Sequence, residues 1–425
     1  MAGWCAGTAA AQTGLSDSIT VEQAVGLTLK NHAAIRQAEY GMIASAARID
    51  VNRTALYPDI SLGGQYVRIG PVPTFDLPGQ GPLELAPHDN YDFHLGLRQT
   101  LYDFGRTDKA VKMAETSHQA AADNIDLVKF NLAYRTIDVF NSILILHQRI
   151  AVLDEQLQTL NQHLEISVKK LEAGTATDFD TLTIRVRIAV VQSDHIDAMH
   201  ALETQNIMFR QLTGLSSDTP INLRGAFAFK KVTLEPDSLM TVAEERRPEL
   251  ILARDAETSA AARSHLAALG DKPFLALNLA TGFKNGYVPD LNTLRGNYAA
   301  GLELKIPVFN GHRTRHQKAE ADADLNSARA HTADMKQQIR SEVLQAIASV
   351  NSSLEKISST ETQVRQAEKA VSMARVRYTA GVITNLDLLD AETTLSQAKL
   401  IRLRAFYDYT MSLYALDRTT GRKVW

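Results

Sequence analysis

The chain has 425 residues, a formal net charge of −3, 45 % apolar and 22 % charged side chains, and a single cysteine, Cys5. This is the composition of a folded protein. It offers no clustered basic face for nucleic acid and no thiol pair for a disulfide framework or a CxxC site. No run of 18 or more apolar residues occurs, so crossing a membrane would require a closed β-barrel.

Residues 1–18 begin "MAGWCAGTAAAQTG", small residues ending in Ala9-Ala10-Ala11, which read as the cleavage end of a secretory signal or as a plain N-terminal tail. Cys5 is a candidate lipidation site, although Trp4 stands where such processing favours a small residue. Residues 19–57 are expected to be helical. Residues 58–103 change period. "PDISLGGQYVRI" alternates Ile60, Leu62 and Tyr66 with Ser61, Gly63 and Gln65, and "YDFHLGLRQTL" sets Tyr91, Phe93, Leu95 and Leu97 against Asp92, His94, Gly96 and Arg98. Such alternation over about ten residues fits a barrel strand with a lipid-facing and a wet side, and equally a soluble sandwich with one buried face. The Pro- and Gly-rich stretch Pro71 to Asn90 between them reads as a loop.

Residues 104–213 predict a long helical hairpin. From Gly105 to Gly174 no Gly or Pro intervenes, so one helix of nearly 70 residues, about 100 Å long, is expected, followed by a returning helix from Asp178 to Thr213. Residues 214–247 join this half to a second one with a short helical stretch, "SLMTVAEERR". The sequence of elements then repeats: a helix over 248–272, two alternating segments over 273–309 ("PFLALNLATGFK" and "NYAAGLELKI"), a long helical hairpin over 310–420 and a tail over 421–425.

The repetition is literal. A shift of about 207 residues carries Gly174 onto Gly381, Thr177 onto Thr384, Asp180 onto Asp387, Leu182 onto Leu389 and Gly214 onto Gly421. It also carries Asn90, Tyr91, Leu95, Leu97, Arg106 and Thr107 onto identical residues. The chain is a tandem duplication of one structural unit. Two copies supply four alternating strands, whereas the smallest membrane barrel needs about eight. If the strands span a membrane, several protomers must share one barrel, because unpaired edges are not tolerated in hydrocarbon.

In order and spacing, "ITVEQAVGLTLKNHAAIRQAE", "LYPDISLGG", "LYDFGRT", "RRPELILARDAE", "IPVFNGHRT" and "RYTAGVITNLDLLDAETTLSQAK" resemble the TolC-like outer-membrane efflux protein family from Ile19 to Gly421. The resemblance implies a mainly α protein with a β-barrel part. Three protomers would form an α-helical tunnel, continuous with a shared twelve-stranded barrel in the outer membrane of a Gram-negative bacterium, extending into the periplasm. It implies a passive exit duct of a tripartite efflux pump or type I secretion system, partnered by a periplasmic adaptor and an inner-membrane transporter. No cofactor and no catalysis are implied. The rival reading is a soluble periplasmic coiled-coil scaffold or adaptor.

Gly174 and Gly381 end long helices where a left-handed cap is wanted. Two αα-hairpins suffice to explain them; the resemblance adds that Gly174, Thr177, Gly381 and Thr384 form an adaptor-docking tip. Asp387 and Asp390 lie three apart on one helix face, a spacing common on solvated surfaces. The first copy has Asp180 and Thr183 at the equivalent positions, so the halves differ there. The resemblance implies that Asp387 and Asp390 line the constriction as a cation-attracting ring, and that Asp180 and Tyr378 form a closed-state link. The family's arginine in that latch is replaced by Ile383. His312 and His316 have an i, i+4 spacing compatible with a metal, but without a carboxylate companion they read as solvated. No phosphate-binding loop, HExxH or nucleophile elbow is present.

Overall fold

The structure is a computed structural model describing residues 18–77, 79, 81–227, 229, 232 and 234–425. Cys5 and the signal-like segment lie outside the described residues. The elements run α1 (Val21–Asn31), α2 (Ala33–Arg53), β1 (Asp59–Arg68), β2 (Thr74–Leu77), β3 (Gly81–Glu84), β4 (Asp89–Tyr102), α3 (Arg106–Glu172) and α4 (Asp178–Thr213), then α5 (Pro236–Arg246), α6 (Pro248–Ala267), β5 (Phe274–Lys284), β6 (Arg295–Lys305), α7 (Arg313–Thr379) and α8 (Asn385–Thr419). The breaker-free runs become two helices of 67 residues each, α3 and α7. One difference from the sequence reading lies between β1 and β4. The stretch read as a loop contains its own small antiparallel hairpin, β2 with β3, in which Phe75 faces Leu83.

Two compact units are formed. The first comprises residues up to Gln37, Ile125–Leu250 and Lys336–Trp425. Its helices bury apolar rows in separate clusters. Ile35, Phe140, Ile143, Leu202 and Phe209 form one, Leu153, Leu160, Ile184, Ile188 and Leu389 another, and Val350, Ile357, Ala405 and Tyr409 a third. A window of α3 is apolar enough and long enough to cross a bilayer, contrary to the sequence reading, which counted only uninterrupted apolar runs. Phe130, Ala133, Ile137, Phe140 and Ile143 in that helix are nevertheless fully buried against other helices, so α3 is a core helix. Arg247, between α5 and α6, is also buried. It donates to Glu249 at 3.0 Å, Glu342 of α7 at 2.7 Å and the Thr419 carbonyl at 3.3 Å, tying three segments of this unit together.

The second unit, Ala38–Asn124 and Ile251–Met335, carries the sheet. Four antiparallel strands run in the order β1-β4-β5-β6. The central pair, β4 with β5, joins the two copies of the repeat, with Leu97 opposite Leu279 and Leu95 opposite Thr281. Registers align side chains across all four strands. One row holds Ile60, Leu97, Leu279 and Ala300, and the next Leu62, Leu95, Thr281 and Tyr298. This face is apolar and open: Leu62 is 83 % and Tyr298 87 % exposed. The other face is polar. There Arg98 pairs with Glu303 at 3.7 Å, Lys284 with Asp92 at 3.9 Å, and Asn278 donates to Glu303 at 3.2 Å. Within the chain, β1 and β6 each keep one unpaired edge.

Candidate functional site

Both hairpin turns of the first unit are built from the same local chemistry. After α3, Gly174 adopts φ +75°, and the amide of Thr175 donates to the Lys170 carbonyl at 2.8 Å. After α7, Gly381 adopts φ +73°, and the amide of Val382 donates to the Arg377 carbonyl at 2.9 Å. A left-handed glycine with this six-to-one bond is the standard helix stop. Thr177 and Thr384 then start the returning helices as N-caps. The backbone amide and hydroxyl of Thr177 both donate to Asp180, at 2.9 and 2.7 Å, and those of Thr384 to Asp387, at 2.8 and 2.7 Å. Each Asp amide returns a bond to the Thr hydroxyl, which closes a capping box.

These caps decide the electrostatics. The Thr177 hydroxyl and amide hold the Asp180 carboxyl below the usual carboxylate range, and the Thr384 hydroxyl and amide do the same for Asp387. Stabilising bonds to the ionised form outweigh the small desolvation penalty. Within one copy of the chain, these caps favour the charged form of Asp180 and of Asp387.

The expected Asp180–Tyr378 link is not made within the chain. The acceptor oxygen of Asp180 is engaged by Thr177, while the Tyr378 ring lies 5.4 Å from the His163 ring and beneath Lys170 Nζ at 4.0 Å. Other groups join the two hairpins. Arg187 of α4 reaches Asp390 of α8 at 3.5 Å, and Asn385 Nδ2 donates to the Asp180 carbonyl at 3.3 Å. Beside them the buried His163 meets Asn385 at 2.5 Å and Glu392 at 3.9 Å, and Ser167, one turn along α3, is buried as well. The sequence reading missed them. The available signal was Ser167, which continues the seven-residue row of Leu153 and Leu160 with a hydroxyl. His312, with φ +60°, and His316 stand at the start of α7. Among the described residues no cluster of three or more metal-binding side chains occurs.

A model of the family described as "Outer membrane efflux protein" matches residues 24–215 and 239–422. The chain belongs to that family. Among curated relatives, outer membrane efflux protein BepC of Brucella suis is 22 % identical over 97 % of this chain and 87 % of its own length. Alkaline protease secretion protein AprF of Pseudomonas aeruginosa is 26 % identical over 76 % of this chain and 68 % of its own. Outer membrane protein TolC of Vibrio cholerae is 22 % identical over 92 % and 86 %. The CmeC outer-membrane channel of Campylobacter jejuni shares the fold with a TM-score of 0.82 at 15 % identity, covering 94 % of this chain and 85 % of that one. The protein is thus an outer-membrane efflux channel that extends into the periplasm, a conduit and not an enzyme.

Proposed function

We propose that three copies of this chain assemble into one exit duct, with four strands from each closing a twelve-stranded barrel. The observation that supports this is the sheet: an open apolar face continuous over four strands, a polar opposite face, and an unpaired edge on both β1 and β6. Lipid tolerates such edges only when another strand covers them. The adjacent edges of neighbouring copies are the covering strands, and the polar faces then line the pore. The duct works passively within a tripartite assembly. A periplasmic adaptor engages the turns at Gly174, Thr177, Gly381 and Thr384, and an inner-membrane transporter supplies the energy.

Asp387 and Asp390 line the narrow end. Six carboxylates in one ring attract multivalent cations, since two like charges about 6 Å apart repel by about 3 kcal/mol at an effective dielectric of 20. Divalent or trivalent cations added from the periplasmic side should block single-channel current, and Asp387→Asn combined with Asp390→Asn should abolish the block. Asn in place of Asp387 still accepts the Thr384 bonds, so the cap survives while the charge is lost. Mutual repulsion in the ring favours protonation, so block should weaken as pH falls. Undiminished block in the double variant would place the ring elsewhere.

A further inference from the structure

His163 of α3 sits at the joint between the two hairpins of the first unit and is 94 % buried there, its side chain only 6 % exposed. Its Nε2 lies 2.5 Å from Oδ1 of Asn385, the first residue of α8. The other end of that amide, Nδ2, donates to the Asp180 carbonyl, so Oδ1 is the atom facing the imidazole. The reverse orientation would set two acceptors against each other. Nε2 therefore carries the proton and donates. The second ring nitrogen, Nδ1, faces Oε2 of Glu392 at 3.9 Å, about two turns further along α8. That oxygen is buried and has no hydrogen-bond partner, whereas Oε1 of the same carboxylate receives two bonds from Arg375 of α7 at 3.1 and 3.2 Å.

A neutral imidazole thus presents a lone pair to a buried, unpartnered carboxylate oxygen. A protonated one presents an N–H. We propose that His163 is a proton-operated tie between the hairpins: neutral, it holds α8 through Asn385 alone, and protonated, it adds a charge-assisted bond to Glu392 that holds α8 against α3 by two points.

The ionisable groups with printed contacts to the ring or to its partners come from α3, α7 and α8. Glu392 of α8 faces Nδ1. Arg375 and Tyr378 come from α7, and Lys170 of α3 lies over the Tyr378 ring. From α4 only the Asp180 carbonyl enters, through Asn385; the Asp180 carboxylate is turned to Thr177. Ser167, buried on α3 with its hydroxyl unpartnered, adds no charge. Histidine is the side chain whose charge changes between pH 5 and 8. Acid would therefore fasten α8 to α3. This goes beyond conduction and requires neither the carboxylate ring nor the trimer.

The test is amide hydrogen exchange of the full-length protein in detergent, read by mass spectrometry on peptides covering residues 385–395. Rates at pH 8 and pH 5.5 are each scaled to the intrinsic chemical rate. An Asp255→Asn background removes a second group that titrates in this window. A charge-assisted bond should raise protection of the first turns of α8 roughly tenfold at pH 5.5. His163→Gln, which keeps a donor for Asn385, should abolish the gain. Glu392→Gln should abolish it independently, leaving His163 itself intact. If either variant gains as much protection as its background, or the background gains none, the tie does not exist.

Discussion

Gly282 of β5 provides the sharpest test of the barrel reading. It lies opposite His94 on the polar face, where β4 and β5 join the two copies of the repeat. A Cβ at Gly282 would stand 2.0 Å from the Phe93 carbonyl oxygen and 2.7 Å from the His94 Cα, both backbone atoms that no rotamer change can move. Carbon and oxygen in ordinary contact need more than 3 Å, so the strands would have to part by over 1 Å from a spacing of about 4.8 Å. Ladder bonds on either side of the site then lengthen or break. Losing two of them costs about 2 kcal/mol in water, and more in hydrocarbon, where a freed N–H or C=O finds no water and each costs several kcal/mol. Gly282→Ala should therefore reduce the amount of assembled channel in the outer membrane severalfold. Assembly is read as the trimer by native mass spectrometry of detergent extracts, with the parent giving a trimer. Gly301→Ala is the control, on the same face of β6 but with nothing within 4 Å of its Cβ, and it should assemble normally. If Gly282→Ala yields parental amounts of trimer, the β4–β5 pairing is not the strand contact that the barrel depends on.

Gly381→Val should leave assembly nearly intact but abolish export. The turn has open space around its Cβ, so the cost is the left-handed backbone alone, about 1–2 kcal/mol for a non-glycine residue in a chain of this size. Normal export by this variant would remove the turn from the docking surface. Asp255, facing Asp123 in the second unit, is pushed up to about 6 by burial and by that neighbouring carboxylate. A raised carboxyl contributes stability below the unfolded value near 3.8 and loses it as pH rises to 6. Asp255→Asn should therefore stabilise the protein at pH 7 to 8. The gain is about 1 kcal/mol, well under the roughly 3 kcal/mol equivalent of two pH units, because the site is partly screened by solvent. It should vanish by pH 4 in thermal unfolding, and an equal gain at both pH values would refute the raised Asp255 carboxyl.

What the sequence determined by itself was whatever depends on local period and punctuation. Long runs without Gly or Pro made α3 and α7 legible almost to the residue, because helix propagation needs no distant partner. Alternation made the four strands and their apolar sides legible, since successive side chains on a strand must point to opposite faces. The repeat offset paired Gly174 with Gly381 and Thr177 with Thr384, and both pairs occupy matching turns. The threonine-to-aspartate spacing of the capping boxes was also present in the chain. Asp180 was read instead as a link to Tyr378 and Asp387 as part of a ring, because a cap is recognised only once the helix start is located to the residue. Nothing local could show that β4 pairs with β5, Arg98 facing Asn278 of the other repeat, since strand partners are chosen by long-range closure and not by period. Nor could it show that His163 meets Asn385 and Glu392, which lie more than 200 positions further along the chain. A histidine in a helix reads as solvated until the packing of a second hairpin removes the water, and that burial is what turns its two nitrogens into a pair of directed contacts.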